Sequence, residues 1–341
     1  EVGSYHGTMT NFSLTGNTSN ITYGKVEARV SKNNLISYLD AGLVRSYSGS
    51  GTTIQDLSGN SNHFTVTSPV YSTSYGGVLN FNGSSSTLSI GTAPISGTNK
   101  RTIAFWVLPK SFSYYSVDNF LFTGATSYSG GVFGLWVNSN NMLNFWGHNA
   151  DISNSNLYLK MNEWNFIAIT YNGNGKITLH VNGVSSSANI SLNTVSNGLT
   201  LKQYLNGSFA EMLIYDRDLS PSDLAYLYNQ NKSKFPPPDG LTQNTAAASA
   251  QAIKAAYPSA TDGVYWIDLP TVGPKQVYCL MDTKYNGGGW MMAMKSTQST
   301  TFNYDATYWN TANTLNPSDL SRNNADAKYD VMNYFAAKDI L

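Results

Sequence analysis

Acidic side chains are the first candidates for chemistry, because hydrolysis of a bond between two sugars needs two carboxyl groups that flank it. The glutamates of the chain are Glu1, Glu27, Glu163 and Glu211, and none stands in a Glu-x-Asp-x-x-Glu spacing along one strand. Glu211 lies in an apolar stretch with no second acid two or four residues further on. We interpret it as a solvated or hydrogen-bonded strand residue. The sequence therefore predicts no catalytic residue and no enzyme activity.

Histidine and cysteine side chains are the next candidates, as zinc ligands and nucleophiles. The histidines are His6, His63, His148 and His180, and they lack the spacing of a zinc site. His180 stands on the polar face of a predicted strand, where we expect a surface residue. Cys279 is the only cysteine, so no intrachain disulfide can form. It lies among apolar residues of a predicted buried strand, which disfavours a role as nucleophile.

Calcium remains an option, because hard cations need only oxygen ligands from carboxylates, amides and carbonyls. Asp56 with Asn60 is the best local candidate. The alternative is that the Asp-Leu-Ser-Gly-Asn segment forms a turn stabilised by its own side chains, which is the favoured interpretation. The sequence predicts no other cofactor.

Aromatic residues in loops are candidates for binding, since rings stack on the C–H faces of sugars while polar groups fix the orientation. The candidate carbohydrate-binding residues are Tyr114, Tyr115, Tyr128, Trp146, Asn149 and Asp151. The alternative assigns these rings to the edges of a β-sandwich or to contacts with neighbouring chains, where Tyr and Trp are also enriched. The sequence leaves both interpretations open.

The composition excludes two classes of partner. The chain has 341 residues, enough for about two domains, and only 12% of them are charged. Its 20 basic and 20 acidic residues give zero net charge, which argues against neutralisation of nucleic-acid phosphates. No apolar run approaches the ~20 residues of a membrane-spanning helix. We therefore predict neither nucleic-acid binding nor membrane insertion.

The candidate residues must be positioned by short β-strands, which are predicted over most of the chain. Residues 35–232 alternate strand patterns with turn residues, as in an all-β jelly-roll sandwich. In residues 176–181 apolar and polar residues alternate strictly between Asn-Gly turns, which predicts a hairpin. Residues 164–171 are apolar on both faces, as expected of a strand covered on both sides. Residues 1–34 are predicted to form a β segment, which fits the end of a preceding module.

A second unit of α+β type follows the strands. The Ser-Pro-Ser-Asp sequence at 220–223 predicts a capped helix over about 221–230. The proline-rich residues 233–242 are predicted to be a stiff linker. Beyond it, the alanine-rich residues 245–256 predict a helix, and strands return further on. We place the second domain at residues 243–341.

The first unit resembles the laminin-G-like, concanavalin A-like lectin modules. The resemblance runs in order through residues 38–42, 51–60, 77–83, 102–107, 163–168, 181–183 and 214–220. It implies a concanavalin A-like jelly roll over residues 35–232.

The second unit resembles the N-terminal part of a fibrinogen-like domain of the kind found in intelectin lectins. The resemblance lies in residues 262–267, 277–281 and 287–290, the last being Gly-Gly-Gly-Trp. Glycines there permit backbone conformations closed to other residues, so we expect the strand that carries Trp290 to pack closely against its neighbour. The resemblance implies a partial fibrinogen-like α+β domain.

Both resembled families mostly bind rather than catalyse. The resemblance therefore implies a non-enzymatic surface protein of a virus or phage, such as a fibre, spike or capsid-decorating protein, on the virion surface or otherwise extracellular. Its expected partners are glycans or host cell-surface polysaccharide, other virion structural proteins and further copies of the chain. The alternatives are a purely architectural assembly protein and a secreted bacterial adhesin or carbohydrate-binding module.

Overall fold

In the computed structural model, which describes residues 33–112, 120–202, 204–297, 300–336 and 339, two antiparallel β-sheets face each other across an apolar interior. Their strands are β1 (Leu35–Asp40), β2 (Thr53–Ile54), β3 (Phe64–Thr67), β4 (Val70–Ser72), β5 (Val78–Asn82), β6 (Thr87–Ile90), β7 (Arg101–Phe112), β8 (Leu121–Gly124), β9 (Val132–Val137), β10 (Met142–Trp146), β11 (Ile152–Tyr158), β12 (Asn165–Tyr171), β13 (Lys176–Val181), β14 (Val184–Asn189), β15 (Leu199–Leu201) and β16 (Leu205–Tyr215). The predicted all-β sandwich is confirmed. The β segment predicted at residues 1–34 lies outside the described residues, except for residues 33 and 34.

The two sheets combine local hairpins with pairings between distant parts of the chain. The first sheet has the order β14-β13-β12-β7-β16-β5-β4, and β1 pairs with the second half of β16. The second sheet has the order β11-β10-β9-β8-β15-β6-β3-β2. Neighbours such as β12 and β13 are consecutive in the chain, whereas β7 pairs with β16 over almost its whole length. Such crossing connections are typical of jelly-roll folds.

The interior between the sheets is filled by alternate residues of facing strands. Phe105 and Ile167 of the first sheet and Phe133 and Phe145 of the second belong to this core and are fully buried. Every residue of β12 is buried, which confirms that this strand is covered on both faces. The predicted hairpin at 176–181 is also confirmed, with β13 and β14 joined through a turn at Asn182-Gly183.

A helix covers the outer face of the first sheet. α1 (Pro221–Asn231) begins at the predicted place, with a reciprocal capping box between Ser220 and Asp223. Its Tyr228 ring stacks on Trp106 of β7 at 5.6 Å between ring centroids. The second sheet has no such helix over its outer face among the described residues.

The proline-rich segment after α1 packs on the sandwich. Phe235 is buried, and its ring lies 4.7 Å from both Trp106 and Trp164. Tyr257 donates a hydrogen bond of 2.6 Å to the Pro237 carbonyl. The described residues from 33 onwards form one compact unit. The boundaries 35–232, 233–242 and 243–341 stay predictions.

The C-terminal part contains α2 (Ala250–Ala256), β17 (Gly263–Leu269), β18 (Gly273–Leu280), β19 (Trp290–Met291), β20 (Met294–Lys295), β21 (Ala327–Lys328) and α3 (Asp330–Tyr334). The helix predicted over 245–256 is shorter than expected. Ala247 instead forms a β-bridge with Ile267, and Ser249 is the N-cap, whose side-chain oxygen accepts a hydrogen bond from the Ala252 backbone. Close packing at the Gly-Gly-Gly-Trp sequence is confirmed. A Cβ added to Gly288, whose φ is +79°, would clash with the Met281 carbonyl oxygen, which directly follows the neighbouring strand β18.

Candidate functional site

A row of outward-facing residues crosses the second sheet. Since side chains alternate between faces along a strand, residues next to the core positions point outwards. Strand register places seven of these outward positions side by side: Trp146, Gly134, Phe122, Thr200, Ser89, Thr65 and Thr53. We call this set the cross-strand row. At about 4.8 Å between neighbouring strands, its six steps span roughly 29 Å.

One end of the cross-strand row is aromatic. Because Gly134 has no side chain, the rings of Phe122 and Trp146 meet above it at 5.6 Å between centroids and 30° between planes. Both residues are half-buried. Lys202 places its ammonium 4.7 Å from the centre of the Phe122 ring. We call Phe122 and Trp146 the aromatic platform, which offers an apolar surface with a cation beside it.

Two loops border the aromatic platform. Gly130 donates a backbone hydrogen bond of 2.9 Å to the Gly147 carbonyl, which ties the turn at 128–131 to the loop at 147–151. The Asp151 carboxylate accepts a hydrogen bond of 2.8 Å from the Gly147 backbone. The Tyr128 hydroxyl donates to the Asn193 carbonyl at 2.8 Å. These contacts hold the loops beside the platform without closing over it.

The structure therefore brings together part of the predicted carbohydrate-binding set. Tyr128, Trp146, Asn149 and Asp151 all lie on or beside the platform, and Asn149 and Tyr128 are exposed. Tyr114 and Tyr115 lie outside the described residues. That the four located residues touch a ligand stays a prediction.

Sequence reasoning missed Phe122, Lys202 and Thr200. Alternation within residues 121–124 was a usable signal that Phe122 faces away from Leu121, which is a core residue. Its proximity to Trp146 and Thr200 depends on strand pairing between distant parts of the chain, for which no local pattern exists.

The calcium candidate Asp56 is engaged by the protein itself. Its carboxylate accepts hydrogen bonds from the backbone N–H groups of Tyr38, Ser58 and Asn62 at 2.8 to 2.9 Å, and from the Ser58 hydroxyl at 2.7 Å. Asn60 donates its amide to the Leu35 carbonyl at 3.1 Å. This is the geometry of the turn interpretation. In the part of the chain that the structure describes, no three His, Cys, Asp or Glu residues form a group able to hold a metal.

We expect Asp56→Ala to lower the free energy of unfolding by about 2 kcal/mol, because the variant leaves buried N–H groups without acceptors. Chemical denaturation with calcium and with a chelator would measure this loss. The turn interpretation predicts the same loss in both conditions. If calcium stabilises the native protein and Asp56→Ala abolishes that gain, the site binds calcium.

The acid predicted to be solvated or hydrogen-bonded, Glu211, is 1% exposed. It pairs across the strands with Asp40 and accepts a hydrogen bond of 2.7 Å from the Asn231 amide. Lys234 lies 3.0 Å from Asp40 and 4.0 Å from Glu211. Burial, together with the charge of Asp40, raises the pKa of Glu211 to about 8. This acid pair is a buried structural cluster beneath the segment that follows α1.

Two other titratable groups are buried as well. The prediction that His180 is a surface residue is wrong, because the residue is 9% exposed and burial lowers its pKa to about 4. Cys279 is fully buried in β18, as predicted, and burial raises its thiol pKa to about 12. At neutral pH both groups are uncharged, so the thiol is a poor nucleophile. Among the described helices, none has the length and apolar character needed to cross a bilayer.

One family model matches most of the sandwich in sequence. Residues 82–225 match the laminin-G family described as the concanavalin A-like lectin/glucanases superfamily. No curated protein matches the chain. Among solved structures, domain 4 of an extracellular arabinanase from Geobacillus stearothermophilus, in complex with arabinotriose, is 18% identical with a TM-score of 0.46, covering 57% of this chain and 98% of that domain.

Two further solved structures are similar over part of their length. The binding domain of Paraclostridial Mosquitocidal Protein 1 is 18% identical with a TM-score of 0.48, covering 73% of this chain and 64% of that one. A Trypanosoma rangeli sialidase mutant is 14% identical with a TM-score of 0.47, covering 60% of this chain and 34% of that one. Residues 82–225 of the chain, which carry the aromatic platform, are thus similar in sequence to the concanavalin A-like lectins and glucanases.

Proposed function

We propose that the protein is a non-enzymatic, lectin-like protein that binds glycans on the outer face of its second sheet. The observation that carries the proposal is the aromatic platform, which sits at one end of a row of hydroxyl side chains. The match of residues 82–225 to the concanavalin A-like lectin/glucanases superfamily supports the same function, since those residues include the platform.

Binding needs two kinds of contact, and the cross-strand row offers both. The rings of Phe122 and Trp146 present a flat apolar surface for the C–H face of a sugar. Thr200 and Ser89 follow on the next two strands and carry hydroxyls that both donate and accept hydrogen bonds. An oligosaccharide that lies across the strands would therefore stack at one end and hydrogen-bond along the rest.

The proposal excludes bond cleavage because of where the acids lie. Hydrolysis requires an acid pair open to the sugar, with one carboxyl group on each side of the bond. Asp40 and Glu211 instead lie buried on the first sheet, where Lys234 pairs with Asp40 at 3.0 Å and lies 4.0 Å from Glu211. The platform itself has Asp151 nearby, whose carboxylate holds the Gly147 loop.

We further propose that this binding serves attachment of a virion to host glycans, and that the protein otherwise acts outside cells. The low share of charged residues, 12%, and the absence of disulfides suit exposed β modules of that kind. Residues 243–341 would be the N-terminal part of a fibrinogen-like domain, on the basis of the Gly-Gly-Gly-Trp sequence. Other virion proteins and further copies of the chain are the proposed protein partners.

We expect Trp146→Ala to weaken glycan binding at least about tenfold, because the variant removes half of the stacking surface. An array of host-cell and bacterial-surface glycans would identify the ligand, and calorimetry on the best ligand would give the dissociation constants.

A matched control is Tyr304→Ala, which removes an aromatic ring that is 97% exposed and far along the chain from the platform. Its affinity should equal that of the native protein. Unchanged affinity of Trp146→Ala, in a variant that still unfolds at the native temperature, would exclude the platform as the binding site.

A further inference from the structure

A polar cleft lies where the outer face of the first sheet meets the C-terminal part of the chain. Its volume is about 390 Å³. The polar side chains that define it are Asn80, Lys110, Asn162 and Asn206 from the sandwich and Gln243 and Asp268 from the C-terminal part. We call it the junction cleft. It is on the other sheet from the cross-strand row, so the two sites are separate.

The junction cleft contains several side-chain amides that have no hydrogen-bond partner among the described residues. The side chains of Asn162, Asn206 and Gln243 form no hydrogen bond with any of the residues that the structure describes. Each amide offers two donors and an acceptor oxygen, which suits hydroxyl groups that donate and accept at once. Tyr75 and Pro238 also line the same cleft. Such a mixture matches a polyhydroxylated ring better than an apolar ligand.

The charges of the junction cleft cancel. Lys110 and Asp268 form an ion pair of 3.6 Å across the junction, from β7 to β17. Since the pair has no net charge, the cleft gives no preference for an anionic or a cationic ligand. A neutral ligand fits this environment.

Two backbone positions at the wall of the cleft are tightly constrained, so the wall is rigid. Tyr75 has φ +52° and ψ +24°, a left-handed conformation that costs a residue with a side chain about 1 kcal/mol. Its ring packs edge-on against Trp164 at 5.3 Å, which fixes it in place. Across the cleft, a Cβ added to Gly207 would lie 2.2 Å from the Leu108 carbonyl oxygen, so β16 can bulge beside Asn206 only with glycine there.

We propose that the junction cleft binds a neutral polyhydroxylated ligand, such as a single sugar ring, and that binding fixes the C-terminal part against the sandwich. The second effect follows because the ligand would contact Asn206 on one side and Gln243 on the other. The proposal does not rest on glycan binding at the aromatic platform.

The test uses the whole chain and four probes: glucose, galactose, mannose and N-acetylglucosamine. Ligand-observed NMR should show saturation transfer to at least one of them. Gln243→Ala, and the double variant with Asn206→Ala, should weaken that binding at least about tenfold. Because Gln243 is exposed, its replacement leaves the fold intact. Gln230→Ala removes an exposed amide of α1 as the matched control and should bind like the native protein.

A second measurement tests whether sugar binding fixes the C-terminal part against the sandwich. Trypsin cuts after lysine, and Lys232 is exposed at the start of the segment that joins the two parts. The sugar should slow cleavage there in the native protein and in Trp146→Ala, but not in Gln243→Ala. If all four sugars fail to bind, or if binding disappears only in Trp146→Ala, the junction cleft is not a sugar site. In the latter case the platform proposal stands alone.

Discussion

Replacing Arg101 with alanine should lower the free energy of unfolding by about 4 kcal/mol, since this buried side chain joins the two sheets. Arg101 is 1% exposed at the start of β7. Its two terminal nitrogens donate hydrogen bonds of 3.0 Å to the carbonyls of Ser96 and Gly97. The guanidinium also lies 4.8 Å from the Phe133 ring of the second sheet and 5.0 Å from the Tyr171 ring of the first. Alanine would leave a cavity and remove the Arg101 donor from both carbonyls, of which Gly97 still accepts from the Thr194 backbone N–H.

Arg101→Lys is the control that separates charge from shape. Burial lowers the pKa of Arg101 to about 10, so the native group is still charged at pH 7. Lysine keeps a charge but lacks the planar fork that reaches two carbonyls at once. We expect it to lose about 2 kcal/mol, measured by denaturant unfolding at pH 7. If Arg101→Ala loses less than about 1 kcal/mol, the guanidinium does not hold the sheets together.

Local sequence signals predicted the parts of the fold that depend on neighbours in the chain. The α1 capping box needs only Ser220 and Asp223, and both are in the predicted positions. The turn before β13 needs residues that tolerate positive φ, and Gly173 and Gly175 have φ +77° and +89°. In each case the stabilising contact joins residues a few positions apart, so the local sequence is sufficient to predict the helix start or the turn.

Features that depend on residues far apart in the chain could not be predicted from local sequence. Alternation predicted that His180 faces away from the core, but it cannot say whether another element covers that face. Phe122 and Trp146 form a platform only because Gly134 lies between them on β9. The sequence likewise placed Glu211 on a strand without indicating that Lys234, beyond α1, would lie against it. The burial of His180, the aromatic platform and the environment of Glu211 all depend on contacts between residues that are distant in sequence.

Lys234 holds the segment after α1 to the first sheet through a buried acid pair. Its ammonium donates hydrogen bonds of 3.0 and 3.2 Å to the two oxygens of Asp40. Glu211, directly across the strands from Asp40, lies 4.0 Å from the same ammonium. Removal of one partner from such a cluster leaves uncompensated buried charge, which typically costs about 3–5 kcal/mol.

Lys234→Met should therefore lower the free energy of unfolding by about 3 kcal/mol at pH 9 and by less at pH 5, where only the hydrogen bonds to Asp40 are lost and Glu211 adds no cost. The sign follows from Glu211, whose pKa in the folded protein is raised above its ordinary value of 4.5 to about 8. Below the ordinary value the carboxyl is protonated in both states and costs nothing. As the pH rises from that value to the folded pKa, the unfolded chain loses this proton while the folded protein keeps it, so stability falls until the folded carboxyl ionises as well. Loss of the Lys234 charge raises this pKa further and deepens that fall.

Adding Glu211→Gln to Lys234→Met separates the titration from the loss of packing. Glutamine keeps the acceptor for Asn231 but carries no charge, so the double variant should be more stable than Lys234→Met at pH 9 and about equal to it at pH 5. Denaturant unfolding at pH 5, 7 and 9 would measure both variants. A cost of Lys234→Met that is the same at all three pH values, or that Glu211→Gln leaves unchanged, would show that Glu211 is not the titrating group. The pH dependence thus tests whether Lys234, the cation of the proline-rich segment, balances the charge of Glu211 in addition to its direct hydrogen bonds with Asp40.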